Sequence, residues 1–316
     1  MLNAMDEFDY IKKYFKPLTN HIARDLKDDA AVYKPLPNHE IVISTDSLVE
    51  GVHFFGSENP IDIAKKALRV NLSDIASMGA SPLFYNLALN IPKNKVEYFI
   101  SNFAKGLKED QEKYKIKLIG GDLTSSLKHI HITISMFGHL PIGESVSRSN
   151  AKAGDLLYVT GQLGLSKIGL ENFFSKSTLF FEAKKRYLLP EPRVEIGILL
   201  RKIASSMIDV SDGLVQDSSH LAFNSGLSLE IDINSLPLPI CSMLKHKDII
   251  DYALYGGDDY ELLFSCDPQN EELVKELSLK TNINLTKIGF FYKSNNPKLT
   301  FKGMKKKPKK ISFKHF

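Results

Sequence analysis

The chain has 316 residues, of which 43% are hydrophobic, 25% charged and 10% aromatic, which suits about two ordinary domains and excludes global disorder. Its two cysteines, Cys241 and Cys266, lack CxxC spacing, so a disulfide-stapled secreted fold and a structural zinc site are excluded and both read as small buried hydrophobes. Net charge is only +4, no apolar run approaches the roughly 18 residues a membrane span needs, and the acidic segment 1–7 is unlike a signal peptide, so a cytoplasmic protein without a membrane partner is expected.

Residues 40–44 (EIVIS) predict a short strand that delivers Thr45, Asp46 and Ser47 at its carboxyl end. Asn59 and Pro60 mark a helix start, and Ala64, Ala67, Leu68, Asn71, Leu72, Ile75 and Ala76 keep helical spacing until Gly79 and Pro82. Asn71 and Asp74 share a face of that helix. A strand is expected over 83–90, a helix over 94–114, and a strand over 116–119 broken by Gly120-Gly121-Asp122. Ile130, Ile132, Ile134 and Met136 alternate with His129, His131, Thr133 and Ser135, the pattern of a half-buried antiparallel strand. His129 and His131 therefore point the same way; with no third ligand nearby, a solvent or interface face is favoured over a metal pair.

The Gly, Ser and Pro-rich stretch 140–154 divides a first domain, 1–140, from a second, 150–316. Strands follow at 155–160, 207–209, 227–233 and 260–265, with helices at 191–204, 213–223 and 271–277. Strands and helices in both halves make the class α+β, or α/β in two domains, and no internal repeat is present. The seven lysines from Lys302 to Lys314 carry the positive charge and leave the body slightly acidic. Without interleaved aromatics or a groove-reading helix, they read as a solvated segment rather than a nucleic-acid contact.

Acidic residues gather at strand ends and glycine turns: Asp28-Asp29, Asp46, Asp74, Asp122 after a glycine pair, Asp209 and Asp212 in DVSDG, and Asp258-Asp259 after another glycine pair. Carboxylates that converge repel one another unless a cation neutralises them, and Mg2+ shares such oxygen shells with water and phosphates. Paired glycines before the acids would let backbone approach a phosphate. Singly, each has a plainer reading: Asp212, Ser211 or Asp209 as a helix cap, the acidic pairs as exposed turns. The usual ATP-site fingerprints GxxxxGK[ST] and GxGxxG are absent, as are a GxSxG elbow and a Cys–His nucleophile, so a phosphate enzyme of this type would hold its nucleotide through metals.

The strings STDSLVEGVHF (44–54), KALRVNLSDIASMGASP (66–82), LIGGDLTSS (118–126), SRSNAKAGDLLYVTGQLG (147–164), IDVSDGLVQD (208–217), YGGDDYELLF (255–264) and the terminal SFKHF resemble the thiamine-monophosphate kinase family, in order and from about residue 8 onward. The wider superfamily includes aminoimidazole ribonucleotide synthetase, selenophosphate synthetase and a hydrogenase maturation factor. The resemblance implies a PurM-like fold, a homodimer joined through its N-terminal sheets, and ATP-dependent phosphorylation of thiamine monophosphate to thiamine diphosphate. It further implies that Asp29, Ser44, Thr45, Asp46, Asp74, Asp122, Asp209 and Asp212 hold several Mg2+ ions. Gly121, Asp122, Arg148, Ser211 and Tyr114 would contact ATP. His53, Asp259 and Phe316 would contact thiamine monophosphate, with Asp258 and Phe313 as neighbours.

That assignment contains no general base and no covalent nucleophile. The acceptor is a phosphate oxygen, already anionic near neutral pH because its second pKa is about 6, so direct in-line transfer needs neither. Arg148 suits bidentate phosphate binding and Phe316 suits a cationic thiazolium. Four positions depart from the family's pattern: Lys27 before Asp28-Asp29, Leu165 after Gly164, Asp258 for a longer carboxylate, and Tyr187 for a histidine. The remaining readings are a sister enzyme of the superfamily and a nucleotide-dependent scaffold or nucleic-acid binder using the lysine tail.

Overall fold

The computed structural model describes residues 5–304. They fall into two units, one built from residues up to 75 and from 81–143, the other from 76–80 and from 144 onward.

In the first unit α1 (Glu7–Tyr10) starts at a capping box made by Asp6 and Asp9. β1 (His39–Val49) runs well past residue 44, so Ser44, Thr45 and Asp46 stand inside a strand, opposite Met136, Ser135 and Ile134, rather than at its end. α2 (Pro60–Ser77) begins where Asn59 accepts the Ile61 N–H at 3.0 Å, and Ala64, Ala67, Leu68, Leu72 and Ile75 along it are fully buried. After β2 (Ser81–Pro92), α3 (Val96–Tyr114) ends at left-handed Lys115. β3 (Lys117–Ser126) continues through the glycine pair that the sequence marked as a break, with its pairing to β2 shifting register at Ile119 just before it. β4 (His131–Pro141) buries Ile132, Ile134 and Met136 on one face, as the alternation required. The sheet order is β1-β4-β2-β3, antiparallel except for the β2–β3 pair. Between α2 and α3, Arg69 grips Asp110 with two bonds of 2.6 and 2.9 Å.

The second unit comprises β5 (Leu156–Thr160), α4 (Leu165–Glu171), α5 (Phe181–Leu188), α6 (Val194–Leu200), β6 (Ala204–Asp209), α7 (Leu214–Asn224), β7 (Ser228–Asp232), α8 (His246–Tyr255), β8 (Leu262–Cys266), α9 (Glu271–Thr281), β9 (Leu285–Tyr292) and β10 (Leu299–Lys302). Its six strands run β10-β7-β9-β5-β8-β6. Leu157, Val159, Ile208 and Leu263 pack with Leu214, Leu221 and Leu254 of α7 and α8 on one face. Tyr158, Met207, Leu262 and Phe264 pack with Ile196, Leu200 and Val274 of α6 and α9 on the other. Burial of both faces is why these strands read as continuous apolar runs instead of alternating ones. The helix expected over 191–204 shrinks to α6, because Pro192 drives Glu191 out of helical conformation and β6 already begins at Ala204. Cys266 is buried, with its thiol pushed up to about 12 chiefly by burial, and Cys241 is half-buried.

Candidate active site

β1 and α2 build the acidic face of the first unit together. Ser44 donates from its hydroxyl to the Asp74 carboxylate, and the Asp46 N–H donates to Asn71 Oδ1 at 3.1 Å. Fully buried Asn71 gives its amide hydrogens to the Ala67 carbonyl at 3.0 Å, which fixes its oxygen toward Asp46. Asn71 and Asp74 share a helix face, as their spacing indicated, and the structure sets that face against β1: one residue pins the backbone of β1, the other meets a β1 side chain. Thr45, one residue on, turns to the opposite sheet face and donates to Ser135 Oγ at 2.9 Å.

Asp28, Asp29, Gly120, Gly121 and Asp122 line one open cavity of about 220 Å³, whose apolar wall includes Phe8 and Phe15. The segment leading to Asp28 is strained, since Arg24, Asp25 and Leu26 in succession have φ of 49°, 59° and 55°. At Gly121 a Cβ would lie 1.9 Å from the Leu87 carbonyl oxygen, so the glycine permits close strand pairing. Gly257 likewise faces the Ser211 carbonyl, 2.4 Å from where a Cβ would stand. In both glycine pairs chain approaches chain, and the following carboxylates are placed as a result.

His53 accepts the Val49 N–H on Nδ1 at 3.0 Å, which puts the ring proton on Nε2. Its loop is pinned by Glu50, which takes Lys95 Nζ at 2.5 Å and the Ile130 N–H at 2.9 Å. Burial opposes ionisation of Glu50, but these two donors hold its carboxyl below the ordinary value. Tyr114 lies at the end of α3 with the Arg69 guanidinium 5.9 Å from its ring centre. It is not part of the cavity wall that holds Gly121 and Asp122.

In the second unit Asp209 ends β6, only 2% exposed, and Ser211 and Asp212 follow in the turn before α7. Asp212 is not the helix cap; its carboxylate takes Gln216 Nε2 at 2.7 Å. The cap function falls to Asp217, within the helix, which accepts the N–H groups of Asp212 and Gly213, each at 3.1 Å. Burial first, then repulsion from Asp209 and Asp212, pushes the Asp217 carboxyl up to about 8. Sequence reasoning missed Asp217, whose only signal is an acid in the first turn of a helix that follows an acidic turn. Arg148 is exposed, and its neighbour Ser147 takes the Met207 N–H at 3.2 Å alongside β6. Asp258 accepts the Tyr260 hydroxyl at 3.1 Å. Asp259 is fully buried and turned inward, accepting the N–H groups of Gly164 and Ser166 at 2.6 and 3.3 Å. Phe313, Phe316 and the lysine tail beyond Lys302 lie outside the described residues.

Among the described residues no three His, Cys, Asp or Glu side chains are gathered so as to enclose a metal ion by themselves. His129 and His131 take no part in such a group, and among the described residues no helix is long and apolar enough to cross a membrane. The donor set nevertheless suits a hard divalent ion that keeps water and phosphate in its shell, because every side-chain donor in it is an oxygen.

Residues 27–140 match the family model of the AIR synthase related protein N-terminal domain, and residues 152–302 that of its C-terminal domain. The thiamine-monophosphate kinase of Buchnera aphidicola subsp. Schizaphis graminum is 37% identical, over 98% of this chain and 99% of its own. Among solved structures, the thiamine-monophosphate kinase of Stenotrophomonas maltophilia aligns with a TM-score of 0.80 at 32% identity, covering 88% of this chain and 90% of that one. AaThiL complexed with AMPPCP and TMP aligns with a TM-score of 0.79 at 30% identity, covering 99% and 100%.

Proposed function

Because the chain belongs to the AIR synthase related family and, within it, to the thiamine-monophosphate kinases, we propose that this kinase transfers the γ-phosphoryl group of ATP to thiamine monophosphate, giving thiamine diphosphate. The observation that carries the reading is similarity along 99% of the chain to a structure complexed with AMPPCP and TMP. A first domain through residue 140 and a second from 150 divide the duties. In the first, Asp29, Ser44, Thr45, Asp46, Asp74 and Asp122 would hold Mg2+, and Gly121 and Tyr114 would meet ATP. In the second, Asp209 and Asp212 would hold Mg2+, and Ser211 and Arg148 would meet ATP. Magnesium, when bound, would offset the charge of the phosphates as it builds on transfer. Thr45, its hydroxyl turned to the other sheet face, can serve only through its backbone.

The chain's own residues then have simple tasks. Asn71 holds the β1 backbone at Asp46, and Asp217 holds the turn at Asp212, so the ligand carboxylates need little reorganisation. His53, with its proton on Nε2, offers a donor to a phosphate or to the thiamine ring. Asp259 shapes the acceptor loop from inside while Asp258 lies nearer its surface. No side chain need accept a proton, because the attacking phosphate oxygen is already anionic, and transfer is direct. A second copy of the chain is expected along the open edge of β1, where Ile43 is 61% exposed.

Product analysis by chromatography tests the reading. Protein mixed with ATP, Mg2+ and thiamine monophosphate should yield thiamine diphosphate and ADP in equal amounts, and none with EDTA. ATP consumed without thiamine diphosphate would assign the chain to another reaction of the superfamily.

A further inference from the structure

Glu261 is wholly buried, and no part of the phosphate chemistry above uses it. Its carboxylate is gripped from three segments. Arg193 donates from Nε and Nη2 at 2.6 and 2.7 Å, Arg186 donates from Nη2, and Thr160 donates from its hydroxyl at 2.5 Å. Thr160 in turn accepts the Leu262 N–H at 2.9 Å, so the end of β5 is tied to the start of β8. The backbone of the same residue reaches the other way: Val210 N–H donates to the Glu261 carbonyl at 2.8 Å. Tyr260 N–H donates to the Val210 carbonyl and Asp258 N–H to the Ser211 carbonyl, both at 2.9 Å. The loop so fastened is strained, with Asp258 at φ 67° and Tyr260 at φ 51° on either side of Asp259. Non-glycine residues in that region are strained and persist only where the surroundings impose them.

A buried carboxylate with two guanidinium partners is an expensive way to gain stability, since apolar packing of equal volume does as well or better. It does provide a fixed point with defined directions. We propose that Glu261 is a positioning residue for phosphoryl transfer: held by Arg186, Arg193 and Thr160, it sets the 256–261 loop and, through the bonds to Val210 and Ser211, the Asp209–Asp212 turn. The inference rests on the kinase reading of those two loops. Its consequence is that alignment, not the presence of any ligand group, depends on Glu261, and misalignment lowers kcat before it weakens binding.

The test compares Glu261→Gln with Thr160→Val, a milder change that keeps the volume and removes only the hydroxyl. Steady-state kinetics with ATP and thiamine monophosphate are combined with melting curves and hydrogen exchange of the peptides covering 208–213 and 256–261. The expected result for folded Glu261→Gln is a kcat at least 10-fold lower with KM for ATP within about 2-fold of the parent. Exchange should accelerate about 10-fold or more in both peptides while other strands stay protected. Thr160→Val should show the same pattern at roughly a third of the logarithmic effect. Parent-like kcat and exchange in the folded variants, or activity lost only in proportion to the folded fraction, would overturn the positioning role. If the parent chain makes no thiamine diphosphate, the kinase reading fails instead, and the exchange data alone decide whether Glu261 holds the two loops together.

Discussion

Asp217 accepts the backbone N–H of Asp212 at 3.1 Å, so the acidic turn after β6 is held from behind by a carboxylate five residues further on. The side chain of Asp212 is thereby released from any capping duty, and its carboxylate accepts a hydrogen bond from Gln216 Nε2. Asp212→Asn should therefore leave the melting temperature in metal-free buffer unchanged or higher, because one of three mutually repelling carboxylates is neutralised. Turnover should fall on the order of 100-fold or more, the usual cost of removing one electrostatic contact to a transferring group. A clear drop in stability with turnover retained would make Asp212 a structural residue after all. Asp46→Asn should behave in the same way, since the Asn71 bond goes to the Asp46 backbone and survives the change.

Much of this site was legible in the sequence because its carriers are local. The helical spacing of Asn71 and Asp74 put both on one face, the face that meets β1, and the alternation at Ile132, Ile134 and Met136 gave the buried face of β4. What escaped was set by tertiary contacts. Residues 45–47 look polar, yet pairing with β4 keeps them in a strand, and Gly121 looks like a break, yet its missing side chain is what lets β3 run on beside β2. Glu261 sits in an apolar run, and only the fold brings Arg186 and Arg193 to it from 75 and 68 residues away. α4, α5 and α8 are short and lie around 165–188 and 246–255, where no clear periodicity marks them.

Burial pushes the Asp259 carboxyl up to about 7, against the pull of the Gly164 and Ser166 N–H groups and of Arg186, with Glu261 adding to the rise. A carboxyl whose folded value lies above its unfolded value near 3.8 binds more protons when folded. Its contribution to stability is full below about pH 4 and is lost as pH rises through about 7. Asp259→Asn keeps a neutral acceptor at the site and removes this slope. Urea unfolding at about pH 5 and about pH 8 should show the parent losing stability relative to the variant as pH rises. A difference between the two that is flat, or of opposite sign, would mean that Asp259 is ionised throughout.

Arg69 and Asp110 form a pair with side chains 8% and 2% exposed, joining α2 to α3. Asp110→Ala leaves the guanidinium buried without that carboxylate, and unfolding free energy should drop by about 3–5 kcal/mol. Replacing both members, as in Arg69→Met with Asp110→Leu, should recover most of the loss, because the cost lies in the uncompensated charge and not in a missing attraction. Denaturant titrations of the single and double variants measure this. A double variant no better than the single one would locate the cost in packing.

The glycine pairs separate two explanations for the same motif. At Gly121 a methyl group would lie 1.9 Å from the Leu87 carbonyl oxygen, a backbone atom fixed in the β2–β3 ladder. At Gly120 the nearest atom is the Asn86 side-chain oxygen at 3.2 Å, which can shift. Gly121→Ala should therefore cost about 3 kcal/mol, at the upper end of overpacking, whereas Gly120→Ala should stay within about 1 kcal/mol of the parent. If the glycines served chiefly to admit a phosphate to the backbone, both variants would melt like the parent and would differ from it only in KM for ATP. Melting curves without nucleotide distinguish the cases, because strand packing is present in the free protein and phosphate approach is not. A large loss confined to Gly121→Ala is the expected outcome, and with it Asp122 becomes a residue placed by the pairing of β2 and β3.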